Sequence, residues 1–147
     1  MADLHPFIVH FPVALISLSW MFDVYGSLRS EKAQNITAFI LQIISAIFSL
    51  VAGFTGNLAE NSIAREPELI SAVNEALTRH RTLANVVIWL IILVTLARVV
   101  AILEKKEWGL QGWVFPLAGF LLAVLVILTG LYGGALNEHI RDFYIQH

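Results

Sequence analysis

The sequence predicts an all-α integral membrane protein: a four-helix up-down-up-down transmembrane bundle with a short interfacial helix. Three observations carry that prediction. Hydrophobic residues make up 58% of the 147 positions. Charged residues make up 14%, against about 25% in a typical soluble domain, too few to cover a water-soluble surface. The apolar residues also fall into four long continuous runs. Continuous rather than alternating runs indicate helices and not the strands of a barrel.

A helix needs about 20 mostly apolar residues to cross the bilayer. Residues 4–22 carry no Asp, Glu, Lys or Arg, and Asp23 follows near the end of this first span, expected over residues 5–27. The second run is uncharged from Ile36 to Ala59 and closes at Glu60, giving a span over 36–59. The third is uncharged from Thr82 to Ala97. Arg98 is expected to snorkel to the interface, which extends that span over 80–103. The longest run, from Trp108 to Asn137, supplies the fourth span, over 113–137.

Short connections after spans one and three make sequential helices antiparallel neighbours. The middle connection is longer. Pro67 suits a first helical turn. Leu69, Val73 and Leu77 repeat every four residues beside Ile70, while Glu68, Ser71, Asn74 and Glu75 face elsewhere. This pattern predicts an amphipathic helix over 67–78 lying on the membrane surface.

Several function classes are excluded. The chain has no cysteine, so disulfides, cysteine-held iron–sulfur clusters, thiolate zinc sites and covalently attached c-type haem are out. A net charge of −2 with no basic run gives nucleic acid no purchase. Met1-Ala2-Asp3-Leu4 has no basic region of the kind that opens a cleaved signal peptide, so the first span is expected to stay in the mature protein.

Four spans put both termini and the middle connection on one face, with Arg65, Arg79, Arg81 and Arg141. The opposite face receives Arg29, Lys32, Arg98, Lys105 and Lys106. Nothing basic precedes span one, whereas Arg29 and Lys32 follow it, so the positive-inside rule places the termini outside. Trp108 and Trp113 flank the inner loop as interfacial anchors.

The histidines give the one specific chemical clue. His5, His10, His80, His139 and His147 all fall on the terminal face, together with Glu60. Two neutral imidazoles approaching iron from opposite sides would hold a b-type haem. Spans one and three lie diagonally in an up-down bundle, so His10 and His80 are the expected axial pair, with His139 as substitute. Gly53 and Gly56 on span two, and Gly130, Gly133 and Gly134 on span four, leave room for the edges of a flat ring. Arg79 and Arg81 flank His80 and suit haem propionates. Other readings stay open. Small residues also let membrane helices pack closely without a cofactor, and interfacial histidines can simply face water. Zinc or copper is a competitor, as is proton relay between Glu60 and a histidine at a quinol pocket.

The opening His5-Pro6-Phe7-Ile8-Val9-His10-Phe11-Pro12 resembles the start of a bacterial family of predicted membrane proteins of unknown function, with a His-Pro-x-x-Val-His-Phe-Pro motif. The resemblance continues through Thr55-Gly56, through His80 with Asn85, and through Gly130-Leu131-Tyr132-Gly133-Gly134 followed by His139. At Arg141-Asp142-Phe143-Tyr144 the chain departs from the family's basic, glycine-containing tail. The resemblance implies four spans in a bacterial inner membrane, with periplasmic termini by the charge reading. Related domains are fused to cytochrome c or Rieske-like modules, which implies electron transport. The expected function is a membrane electron-transfer module with one haem b near the outer face. Its partners would be the lipid bilayer and other membrane electron-transport subunits or a cytochrome, not nucleic acid. The alternative is a cofactor-free structural or accessory subunit of a larger complex. In either case the chain alone is expected to relay electrons or support a complex, not to catalyse.

Overall fold

The computed structural model describes residues 4–29, 32–104 and 110–146. His147, Trp108, Lys105 and Lys106 lie outside the described residues, as does Met1-Ala2-Asp3. The chain forms α1 (His5–Ile8), α2 (His10–Arg29), α3 (Lys32–Ile63), α4 (Pro67–Leu103), a 3₁₀ turn (Leu110–Trp113) and α5 (Val114–Gln146). Four helical segments are long and apolar enough to cross a membrane: His5–Arg29, Asn35–Ile63, Pro67–Leu103 and Val114–Ile145.

The break between α1 and α2 at Val9 follows from Pro12. Proline has no N–H, so the carbonyl of Ile8 loses its partner one turn ahead. Val9 N closes α1 by donating to His5 O at 3.1 Å.

Each long helix packs on two others, in the order α2, α3, α4, α5 and back to α2, which leaves α2 diagonal to α4 and α3 diagonal to α5. Contacts pair rising numbers with falling ones, so neighbouring helices run antiparallel. Ser19 Oγ donates to Ala38 O at 2.8 Å, and Phe11 stacks on Phe48. Gln42 meets Arg98, and Glu60 meets Arg81. Trp20 packs on Phe120, and Gly130 lies beside Val13.

The buried positions recur every seven residues. On α2 they are Pro12, Ser19 and Gly26, with Ile16 and Asp23 between. On α4, Val73, Val87 and Ala101 form one line, and Leu77, Ile91 and Arg98 the other. On α3 the lines are Ala38, Ser45 and Ala52, and Gln42 and Ser49; on α5, Leu122, Thr129 and Leu136, with Val126 beside them. This recurrence belongs to left-handed bundles. Lipid tails are as apolar as leucine, so close van der Waals packing rather than water exclusion holds such helices together. The small Ala, Ser, Gly and Thr residues on these lines permit it. Large apolar side chains such as Trp89, Leu93, Phe54 and Leu117 stay exposed on the outside, where lipid meets them.

The helix expected over 67–78 is not a separate element. It is the first part of α4, whose 37 residues span about 55 Å at about 1.5 Å per residue, well beyond a hydrocarbon core of about 30 Å. Its Leu69, Val73 and Leu77 do not face the bilayer. They bury against Leu136 of α5, with Ile140 and Phe143 packed around them. Tyr144 OH donates to the Glu66 carboxylate at 2.9 Å. An apolar stripe with this period can bury against lipid or against a second helix, and here the extended end of α5 supplies the second helix.

Candidate functional site

Two polar layers lie within the bundle, one half-buried and one buried, and each draws on every long segment. The layer at the terminal end contains His5 and His80. Their ring centres are 6.3 Å apart and the rings meet edge to face at 77°. His80 Nδ1 donates to the carbonyl of Thr129 at 3.0 Å. Since a carbonyl only accepts, Nδ1 carries the proton and Nε2 keeps a free lone pair. His5 Nδ1 lies 3.1 Å from Thr55 Oγ1. That hydroxyl donates its own proton to Ala52 O at 3.1 Å, so it accepts from His5. His5 is thereby also fixed with Nε2 unprotonated. A histidine whose far nitrogen donates to a protein oxygen is oriented as metal-binding histidines are.

Two glycines make room for the rings. A Cβ on Gly56 of α3 would lie 3.0 Å from His5 Cε1, and one on Gly133 of α5 would lie 3.0 Å from His80 Cε1. Gly53, one turn deeper, instead admits Ile88 of α4, whose Cδ1 would meet a Cβ at 2.9 Å. It serves helix packing and not the histidine layer.

His10 is exposed and donates from Nδ1 to Pro6 O of α1, at 2.6 Å. His139 does the same with Ala135 O, also at 2.6 Å, on the exposed end of α5. The four described histidines therefore gather toward one end, but the pair that meets is His5 with His80, not His10 with His80. His10 follows His5 by five residues, about 140° around a helix, so the two cannot share a face. His5 lies seven residues before Pro12, on the buried line through Ser19 and Gly26, and that spacing was the signal for it. Arg81 reaches Glu60 at 2.7 Å and Arg79 reaches Glu75 at 2.6 Å, both on the exposed surface around His80. Among the described residues no group of three His, Cys, Asp or Glu converges as a metal cage.

The second layer lies toward the other end. Arg98 does not snorkel. It is only 5% exposed, paired with Asp23 of α2, and donates to Gln42 Oε1 of α3 at 2.8 Å. Its guanidinium carbon lies 4.5 Å from the ring centre of Phe115 on α5. Inside a bilayer a cation without a partner is far costlier than one held by a carboxylate, an amide and an aromatic face. Spacing again marks the residue, since Arg98 continues the buried line of Leu77 and Ile91. Between Arg98 and His80, α4 rises about 27 Å, so the two layers stand near opposite edges of the hydrocarbon.

No curated protein and no solved structure matches the chain. One family model does, described as predicted membrane protein (DUF2231), and it covers residues 2–141. With nearly the whole chain matched, the four-span protein belongs to this family of predicted membrane proteins.

Proposed function

We propose that the chain is an electron-transfer module of a bacterial inner membrane, with periplasmic termini, that holds one b-type haem at its terminal face through His5 and His80. The observation that carries this reading is the pair itself: two imidazoles from diagonal segments, each with Nδ1 engaged and Nε2 free. The two ring centres are 6.3 Å apart, close enough for both imidazoles to serve one bound group. The small residues Thr55 and Gly56 of α3 and Gly133 of α5 lie against the two rings, and Arg79 and Arg81, paired at the surface with Glu75 and Glu60, are the cations suited to propionates. Bound haem would supply a reversible one-electron centre. The chain's own residues fix the tautomers, exclude bulky side chains and keep the ligands at the membrane edge. A partner with a second centre, a cytochrome or another electron-transport subunit, would exchange electrons there.

The test is an absorption spectrum of detergent-purified protein, oxidised and reduced. A Soret and α band that persists in His10→Ala and His139→Ala but is lost in His5→Ala and His80→Ala supports the assignment. Bands lost in His10→Ala and kept in His5→Ala would remove this pair as ligands. The absence of any reducible chromophore would favour the second reading, an accessory subunit of a larger electron-transport complex.

A further inference from the structure

Between the two polar layers, one face of α3 carries Gln42, Ser45, Ser49, Ala52 and Thr55, all buried. From 42 to 55 the helix rises about 20 Å. Gln42 Nε2, Ser45 Oγ and Ser49 Oγ are buried and bond to no group among the described residues. Their residues are 5%, 0% and 3% exposed. A helical Ser or Thr ordinarily satisfies itself on the carbonyl one turn back, as Ser17, Thr95 and Thr129 do here. Ser45 and Ser49 do not. The wall across the bundle is Ile16, Val87, Ile91, Leu122 and Val126, which offers them no partner. Unpaired polar groups are least tolerable in hydrocarbon, so an uncompensated row of them calls for a physical reason. Beside the lower end of the row is a cavity of about 10 Å³, bordered by Ser19, Asp23 and Gln42, about the room one water needs.

We propose that this face of α3 is a hydrated proton path through the bundle, running between the Asp23–Arg98 pair and Thr55, one hydrogen bond from His5. Water bridging the row satisfies the three unpaired atoms. Gln42 orients the first water through its amide, and each serine hydroxyl accepts a proton on one lone pair as its own leaves along the row. Every hop breaks one O–H bond and forms another; beyond Ser49 the proton passes to water beside Thr55, whose own hydroxyl stays on Ala52 O, so one proton enters and one leaves with no redox change. Along the axis, Gln42 to Ser45 is about 4.5 Å and Ser45 to Ser49 about 6 Å, each near the reach of a single bridging water. Ser49 to Thr55 is about 9 Å, with the methyl of Ala52 in the gap. This is the slow step, and it keeps the protein from short-circuiting the membrane. The path does not depend on what the histidine pair holds.

The experiment uses the full chain in phosphatidylcholine vesicles with pyranine inside, a potassium gradient and valinomycin. Its readout is the initial rate of internal pH change per protein. Wild-type vesicles are expected to exceed protein-free vesicles. The Ser45→Ala/Ser49→Ala double variant is expected to lose at least tenfold of that excess, and Ala52→Ser to raise it severalfold. Melting in detergent separates function from folding. Removing two unpaired hydroxyls should leave the melting temperature unchanged or higher, and a gain of flux in Ala52→Ser cannot come from unfolding. Wild type and Ala52→Ser both at the protein-free rate would overturn the proposal, as would the double variant at the wild-type rate. No haem spectrum enters the readout, so this path and the haem reading fail separately.

Discussion

His5 and His80 meet edge to face, each ring resting on a glycine of a different helix, Gly56 beneath the first and Gly133 beneath the second. The pair is built from all sides of the bundle: α1 and α4 supply the rings, α3 and α5 the space and the hydrogen-bond acceptors. A single substitution on any of the four can therefore disturb it.

The glycines give the sharpest contrast. Gly133→Ala places a methyl 3.0 Å from His80 Cε1, so the ring must shift. Overpacking of this kind costs about 1–3 kcal/mol, and any ligand held by the pair should weaken with it. Gly134→Ala, next along the helix, meets nothing within 4 Å. It should be neutral or stabilising by about 0.5–1 kcal/mol through helix propensity. Thermal unfolding in detergent measures both. Equal effects would mean that the Gly133 contact does not hold the ring.

Thr55→Val keeps the shape of the side chain but removes the oxygen that accepts from His5 Nδ1. Removing such a partner typically costs 10–100-fold in metal affinity. Titration of the purified protein with haem should show a loss of about that size, with much less change in His10→Ala. An unchanged midpoint would detach Thr55 from ligand orientation.

How much of this was legible beforehand differs between fold and site. Four spans followed from charge-free runs at Ile36, Thr82 and their counterparts, because the bilayer punishes charge and the pattern is therefore coarse and strong. The site was harder. The diagonal placement of spans one and three pointed to a pair between them but does not choose between His5 and His10, whereas facing decides which ring enters the bundle. The buried line Pro12, Ser19 and Gly26 carried that information, extended back by one repeat to His5. Arg98 was misread for a similar reason, since an arginine near a span end reads as an interfacial anchor until its helical phase with Leu77 and Ile91 is considered. The stripe over 67–78 was seen correctly, but nothing in its own residues distinguishes a bilayer surface from the distant end of α5.

Breaking the second layer should be costly. Arg98→Leu leaves Asp23 buried with its cation gone. Loss of one member of a buried pair typically costs about 3–5 kcal/mol. The double change Asp23→Leu/Arg98→Leu should recover most of that loss, because the orphaned charge disappears as well. Denaturation of the two variants beside the wild type in mixed micelles checks the sign, and a double variant as unstable as the single one would show that the charges themselves are not the issue.

Val73→Ala should loosen the helical extension on both helices of its contact, since Val73 packs with Leu136 in one cluster. A cavity there costs about 1–4 kcal/mol locally. Amide exchange should accelerate both around residue 73 and over 136–143. Faster exchange confined to α4 would mean that the two helices are not packed together outside the bilayer.

The seven-residue recurrence has a consequence for how this chain can change. A single residue inserted in a helix turns everything beyond it by about 100°. Such an insertion between His80 and Arg98 would leave one of the two facing lipid, and so would a deletion. The two layers are locked in phase, like marks on a single screw thread. Length variation is then admissible only in the connecting loops or in steps of whole repeats, and a repeat added to one helix must be matched in the other three.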